Sequence, residues 1–302
     1  MPDGGYVHVV INPVSGRSGG WEVICDLCRR MEAVGWTVAI SRTGRIGDAR
    51  AAATRACSDG ARALVVAGGD GTVSEAASGM VGNGVPILVV PRGTENILAK
   101  YYGSALDADL LWQTLREGRE IAMDIPVTNG RRFMLLAGIG FDAEVVQRLT
   151  RERKGHISYL TYFWPLWRTF WSHAYPHLSV EADGVKVFEG AGLAFVGNVP
   201  RYAIGLRILD RASPVDGLLD VCVLHCRRQD QLLQHAVNIL RRRHVGGRDV
   251  IYTQARRVRV QAREQRVPLQ LDGDFAGWLP EGAEFEITGV RARFLVRRDW
   301  RG

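Results

Sequence analysis

The sequence predicts a two-part protein: an open, mostly parallel α/β sheet domain followed by an antiparallel β-sandwich. Three observations carry this reading. Up to about residue 120, short apolar runs alternate with helical stretches, the pattern of a parallel sheet covered on both faces. Beyond "AMDIPVTNG" (Ala122–Gly130) short strands follow one another across Gly, Asn and Asp turns. The length, 302 residues, exceeds what one core ordinarily holds.

The elements follow in order. "YVHVVINP" (Tyr6–Pro13) is a buried strand ending in a turn, and an amphipathic helix runs from about Trp21 to Val34. "WTVAIS" (Trp36–Ser41) is a second strand, and "GDARAAATRACSDG" a helix closed by Gly60. "ALVVAGG" is a third strand, followed by a helix from about Thr72 to Met80. "VPILVVP" (Val85–Pro91) is a fourth, followed by the helix "ENILAKYY". The first domain then covers residues 1–124, with 291–302 ("VRARFLVRR" onward) returning to it, and the second covers 125–290; the boundary lies near Met123–Val127. In the second domain "RRFMLLAGIGFD", "HLSVEADGVKVFEG", "AGLAFVGNV", "GLLDVCVLHC", "RRVRVQA", "VPLQLDGD" and "AEFEITG" read as strands. Two helices interrupt them, near Glu144–Arg153 and Gln229–Arg243.

Composition narrows the function classes. The five cysteines are scattered, and Cys25-x-x-Cys28 has no second pair at zinc spacing and sits in a helical context, so helix residues in a reducing cytoplasm are expected. No leader pattern and no apolar run of about 18 residues is visible, so no membrane span is expected. The net charge of +7 suits an anionic partner: nucleotide, nucleic acid or membrane surface. No helix-turn-helix, zinc-finger or RRM pattern accompanies it, so nucleic acid is not expected. The oligomeric state stays open, a homodimer being one option.

Chemistry concentrates in three Gly-rich loops at the carboxyl ends of strands, where open α/β sheets bind ligands. They are "NPVSGRSGG" (Asn12–Gly20), "GGDGT" (Gly68–Thr72) and "PRGTENILAK" (Pro91–Lys100). Glycines between a strand and a helix let an anion approach backbone N–H groups. Asp70 inside such a cradle points to a bridging cation or a hydroxyl proton. By spacing alone, phosphate binding and a tight turn with Asp as a cap both remain open.

The ordered set of motifs resembles the diacylglycerol kinase catalytic family, which includes bacterial soluble lipid kinases and sphingosine and ceramide kinases. The set comprises Asn12-Pro13-x-Ser15-Gly16, then Gly68–Thr72 with Glu75 and Gly79, then Pro91-x-Gly93-Thr94-x-Asn96. Asp124, "GIGFDAEV" (Gly138–Val145), "KGHISYL" (Lys154–Leu160), "PVDGLLDV" (Pro214–Val221) and "LDGD" (Leu271–Asp274) complete it. The resemblance runs in order along nearly the whole chain, whereas GGDGT alone is shared with NAD kinases and phosphofructokinases. It implies an NAD-kinase-like first domain and an ATP- and Mg²⁺-dependent kinase that phosphorylates a lipid alcohol in an interdomain cleft. Asn12, Ser15 and Gly16 match the first nucleotide loop, Gly69, Asp70, Gly71 and Thr72 the loop over the phosphates, and Gly93, Thr94 and Asn96 the closing loop. Asp272 matches the general base, with Asp274 where the family usually has Glu, and Asp70 joins them as a catalytic carboxylate. Asp216, the carbonyl of Leu218, and Asp220 match a structural magnesium site. Ile97 stands where the family usually has an acid, which shifts metal handling to Asp70, Asp272, Asp274 or water.

Read by themselves, several of these residues admit a plainer account. Asp272-x-Asp274 on an extended strand would send both carboxylates to one face, whereas Asp-Gly is also a hairpin turn. "PVDGLLDV" reads equally as a turn into a strand. Trp164, Trp167 and Trp171 recur at i, i+3 and i+7 of a helix that Pro165 begins or kinks, with Phe163 and Phe170 beside them. Core packing is one account of that stripe; a hydrophobic cleft or rim for acyl chains, with Arg168 near phosphates, is the other. The nine arginines between Arg241 and Arg266 make a solvated face or a patch for anionic headgroups. Peripheral contact of a cytoplasmic enzyme with an anionic membrane is the expectation. Two other readings remain: an NAD or other small-alcohol kinase, and a kinase-like lipid or nucleotide sensor without turnover.

Overall fold

A computed structural model of the chain describes residues 5–15, 20–80, 82, 84–152, 159–202, 205–263 and 266–301. It divides into two compact units, one of residues 1–123 and 290–302, the other of residues 124–289.

The first unit is a six-stranded sheet in the order β2-β1-β3-β4-β17-β5. Its strands are β1 (Tyr6–Ile11), β2 (Thr37–Arg42), β3 (Ala63–Gly68), β4 (Ile87–Pro91), β5 (Arg119–Asp124) and β17 (Arg291–Val296). β2, β1, β3 and β4 are mutually parallel, and β17 is parallel to β4. Helices α1 (Gly20–Ala33), α2 (Asp48–Ser58), α3 (Asp70–Gly79), α4 (Ile97–Tyr102) and α5 (Ala108–Glu117) complete it. The central strands β1, β3 and β4 are apolar at most positions because both their faces are covered. Val7, Val9, Ile11, Val65 and Ala67 share a core with Ile24, Leu27, Met31, Leu111 and Leu115 of α1 and α5. Leu64 and Val66, of opposite parity, are equally buried, and α2 and α3 pack on β1 and β3. The cysteines of α1 are free thiols, and burial pushes the Cys28 thiol up to about 11, which makes it inert.

Among the described residues the second unit is antiparallel β with three α-helices. Its strands are β6 (Val127–Thr128), β7 (Arg131–Arg132), β8 (Leu136–Ile139), β9 (His177–Ala182), β10 (Val185–Gly197), β11 (Leu219–His225), β12 (Val250–Ala255), β13 (Arg257–Ala262), β14 (Pro268–Leu271), β15 (Asp274–Trp278) and β16 (Ala283–Glu286). The long β10 joins two layers. Its first half pairs with β9; from Gly192 it pairs with β11, and from Ala194 also with β8. Gly190, with φ +157°, and Gly192, whose added Cβ would lie 2.5 Å from the Leu224 carbonyl, permit that passage. Inward-facing residues of both layers, among them Val180, Val196, Val221, Val260, Leu269 and Phe285, form one core. The helices are α6 (Phe141–Glu152), α7 (Tyr159–Ser172) and α8 (Gln229–Leu240). Pro165 lies inside α7 and does not begin it. The strands β12 and β15 and the helix α5 were not among the elements expected from sequence.

Candidate functional site

In the first unit the three Gly-rich loops are tied together by their own side chains. The Asn12 amide donates to Thr72 Oγ1 at 3.0 Å and its carbonyl accepts from the Val14 N–H at 3.1 Å, joining the first loop to the second. Ser15 Oγ closes the first loop on the Asn12 carbonyl at 2.8 Å. Gly16 lies outside the described residues. Gly69 and Gly93 meet backbone to backbone: a Cβ on Gly93 would sit 2.6 Å from the Gly69 Cα. Asn96, in the left-handed region at φ 49°, turns its amide back on the third loop; Oδ1 accepts from Gly93 N–H at 2.6 Å and Nδ2 donates to the Gly93 carbonyl at 2.7 Å. Thr94 is exposed beside it.

Asp70 has a definite partner that spacing did not reveal. Its carboxylate accepts the N–H groups of Ile97 (2.9 Å) and Leu98 (3.0 Å), so the acid of the second loop caps α4 behind the third. Burial holds its proton affinity above the ordinary carboxylate range, opposed by those two N–H bonds. The helix α3 starts at Asp70, two residues earlier than expected, and its N-cap Gly69 has no side chain to cap it. The Thr72 and Val73 N–H groups donate to the Gly69 carbonyl at 3.0 and 3.1 Å, which leaves the Asp70 and Gly71 amides as the first-turn donors that the helix itself does not use. Gly71 sits there exposed, at a negative φ, and among the described residues a Cβ on it would meet nothing within 4 Å. Glu75 and Gly79 have structural jobs. Glu75 Oε1 accepts from Gly47, Ala49 and Arg50 at the start of α2, and a Cβ on Gly79 would lie 2.6 Å from the Arg50 carbonyl. Ile97 is buried at 6% exposure, a core residue.

In the second unit Asp272 and Asp274 do not share the face of an extended strand. Asp272 (φ 53°) and Gly273 (φ 86°) form the turn between β14 and β15, because a tight hairpin requires two residues at positive φ. The Asp272 carboxylate is taken up by three backbone donors: Met134 N–H at 2.7 Å on Oδ2, and Leu135 and Leu136 N–H at 2.7 and 3.2 Å on Oδ1. Asp272 N–H in turn donates to the Leu136 carbonyl at 3.0 Å. The residue clasps the hairpin onto β8. Asp274 is exposed at the head of β15.

Asp142, within "GIGFDAEV" but not singled out from sequence, is coupled to this turn. Its Oδ2 accepts from Gln270 Nε2 at 2.9 Å and Tyr202 Oη at 3.2 Å, while Gln270 Oε1 accepts the Gly273 N–H at 2.7 Å. Burial pushes the Asp142 carboxyl up to about 6. A Cβ at Gly138 would come 2.3 Å from the same oxygen, which explains that glycine.

Asp216 and Asp220 converge on one donor, Gln254 Nε2, at 3.5 and 3.1 Å. Asp220 is fully buried and also accepts from Tyr252 Oη at 2.6 Å; desolvation raises its proton affinity, and repulsion from Asp216 adds to this. Asp216 Oδ1 accepts from Leu218 N–H at 3.0 Å, and the buried Asp124 accepts from Gly217 N–H at 2.9 Å. Among the described residues no group of three or more His, Cys, Asp or Glu side chains is close enough to hold a metal. Two hard carboxylates meeting on a single amide donor are nonetheless a donor set suited to Mg²⁺ when a carbonyl and waters complete it.

The tryptophan stripe does not pack into the core. Trp164, Trp167 and Trp171 are 62%, 48% and 60% exposed, whereas Pro165, Thr169 and His173 face inward. The inner side is anchored to α6: His173 Nδ1 bonds Glu144 Oε2 at 2.6 Å, and Arg148 reaches Ser172 Oγ at 2.7 Å. A groove of about 930 Å³ lies between α7 and α8, lined by Phe141, Trp167, Phe170, Trp171, Leu232 and Leu233 among others. The side chain of Phe163 and most of "KGHISYL" lie outside the described residues. The described arginines of the basic run are exposed; Arg257 pairs with Glu286 at 3.3 Å. No helix among the described residues is long and apolar enough to cross a membrane.

Comparison with known proteins agrees with this architecture. A model of the diacylglycerol kinase catalytic domain matches residues 6–127, and one of the YegS C-terminal NAD kinase beta sandwich-like domain matches residues 136–291. A diacylglycerol kinase of Mycobacterium tuberculosis is 30% identical over 309 residues, covering 99% of this chain and 96% of the relative. A diacylglycerol kinase of Bacillus subtilis is 29% identical over 278 residues, covering 90% and 91%. Among solved structures, a putative diacylglycerol kinase from Bacillus anthracis superposes with a TM-score of 0.76 at 20% identity, covering 98% and 99% of the two chains. Yeast NADH kinase complexed with NADH superposes at 0.56 with 12% identity, covering 98% and 85%.

Proposed function

The chain belongs to the diacylglycerol kinase catalytic-domain family, and from that premise we propose that it transfers the γ-phosphoryl group of ATP to the hydroxyl of a lipid alcohol, a diacylglycerol or a sphingoid base. The observation that carries the nucleotide half is Gly71. Among the described residues its glycine is required neither by backbone conformation nor by neighbouring atoms. What remains is close approach of a ligand to the first-turn amides of α3, as a polyphosphate needs.

The residues divide the work. Asn12, Ser15, Gly69, Asp70, Thr72, Gly93 and Asn96 fix three loops against one another, so that donors are pre-positioned around the β- and γ-phosphates. Phosphoryl transfer through a loose transition state asks mainly for positioning and charge neutralisation, and little for base strength. That suits Asp272, whose carboxylate is fixed in position by three N–H bonds. In this reading Asp272 orients the acceptor hydroxyl, and the exposed Asp274 beside it receives the released proton. Mg²⁺ supplies neutralisation of the phosphate charge when bound; Asp216, Asp220 and the Leu218 carbonyl are the residues that would hold a structural ion in the second unit. The protein works in the cytoplasm in peripheral contact with an anionic membrane.

The test is transfer from γ-labelled ATP to a panel of lipid alcohols in mixed micelles. A labelled, organic-extractable product is expected. A labelled water-soluble product from NAD would move the assignment to a small-alcohol kinase. Saturable ATP binding without product from any alcohol would make the protein a sensor.

A further inference from the structure

Two helices of the second unit carry the same pattern on their outer sides. On α7 the exposed residues Trp164, Trp167 and Trp171 fall at i, i+3 and i+7. On α8 the exposed residues Leu233, Ala236 and Leu240 fall at i, i+3 and i+7, with Leu233 58% and Leu240 68% exposed. The apolar groove runs between these stripes. Soluble surfaces seldom gather apolar residues in this way, and a continuous patch marks an interaction site.

The charges around the patch identify what covers it. Arg168 stands exposed between Trp167 and Trp171, and Arg227 and Arg228 precede α8. Arg241, Arg242 and Arg243 follow α8 directly and are exposed. The one acid among the described groove residues, Asp230, is already paired with Arg228 at 2.7 Å. An apolar floor rich in indoles with a cationic rim matches an anionic bilayer, where Trp sits at the headgroup boundary and Arg meets lipid phosphates. A second copy of this chain would bring the same positive rim against itself.

We propose that the outer faces of α7 and α8 form the surface by which the protein docks on anionic membranes, with Trp164, Trp167 and Trp171 seated in the interface and Arg241–Arg243 on the headgroups. This rests on the lipid-kinase reading for its purpose, and its test needs no catalysis.

The experiment is co-sedimentation of the full chain, without nucleotide, with vesicles of phosphatidylcholine alone and of phosphatidylcholine mixed with phosphatidylglycerol. The wild type is expected to sediment with the mixed vesicles and to be released by salt. W164A/W167A/W171A should lose at least about tenfold in partitioning, because each indole presents on the order of 200 Å² of surface. R241Q/R242Q/R243Q should lose the preference for anionic vesicles, about fivefold per charge. Both variants change exposed residues, and circular dichroism and Tm should match the wild type. Equal partitioning of the folded tryptophan variant and the wild type overturns the proposal. So does a wild-type dimer in size-exclusion chromatography that only the tryptophan variant loses, since the face would then be an interface between copies. Phosphorylation of a short-chain, water-soluble diacylglycerol separates the two readings. If that product forms while vesicle binding fails, docking falls and the kinase stands; if docking holds and no alcohol is phosphorylated, the kinase falls.

Discussion

Two glycine substitutions should affect ATP use alike and stability oppositely. Gly71→Ala adds a methyl where the described residues leave nothing within 4 Å, on the first turn of a helix. Removing glycine from a helix is worth about 0.5–1 kcal/mol, so the variant should unfold at slightly higher urea than the wild type. Gly93→Ala places a Cβ 2.6 Å from the Gly69 Cα and 3.0 Å from Asn96 Oδ1. Backbone must move by roughly 1 Å, and overpacking of that kind costs about 1–3 kcal/mol. If polyphosphate lies on these turns, both variants obstruct it, and kcat/KM for ATP should fall on the order of tenfold to a hundredfold in each. The KM for the lipid should stay unchanged. Urea unfolding and steady-state kinetics with varied ATP measure all four quantities. Gly71→Ala with wild-type kinetics would refute the reasoning, because no reason for that glycine would then remain.

Asp272→Ala strands three N–H donors at the start of β8; at about 1.5–3 kcal/mol for each bond to a charged acceptor, the two short ones alone predict a loss of roughly 3–6 kcal/mol in urea unfolding. Asp272→Asn keeps Oδ1 for Leu135 and Leu136 but turns an N–H₂ toward Met134, so it should lose about half as much and phosphorylate the lipid at least tenfold more slowly while still folded. Glu75→Ala removes the acceptor for three amides at the start of α2 and should cost about 1–2 kcal/mol without altering the lipid KM. Asp142 holds its proton up to about 6 instead of 3.8, so the folded state binds the proton more tightly than the unfolded chain. Its contribution to stability is therefore full below pH 4 and lost between pH 4 and 6. Asp142→Asn should flatten that part of the stability profile, by at most about 3 kcal/mol, as urea midpoints across pH would show.

The parallel sheet was legible because both its faces are buried, so that strands such as Ala63–Gly68 read as unbroken apolar runs. β12 was hidden by its polar outer positions, Tyr252, Thr253 and Gln254, which break strict alternation. β15 was not legible because Asp272-x-Asp274 reads either as an extended strand or as a hairpin turn, and only the turn sends the chain back as a further strand. The candidate site was legible as three glycine-rich loops at strand ends, which the fold brings together through Asn12, Asp70 and the Gly69–Gly93 contact. The partners of its acids were not, because they are distant in sequence: Asp70 meets amides 27 and 28 residues away, and Asp272 meets amides 136 to 138 residues away. Spacing can suggest that a carboxylate is free for chemistry, but only the fold reveals the backbone donors that already occupy it. The tryptophan stripe was visible as a helical face; whether it turned inward or outward depended on the Glu144–His173 anchor, which joins α6 to α7.

The most direct test is amide hydrogen exchange of the full chain with and without saturating ATP and Mg²⁺. Peptides covering Gly69–Thr72 and Gly93–Asn96 should both gain protection, together, at nucleotide concentrations that saturate turnover. Nucleotide binding that leaves both peptides unchanged would show that the triphosphate lies elsewhere and would contradict the account.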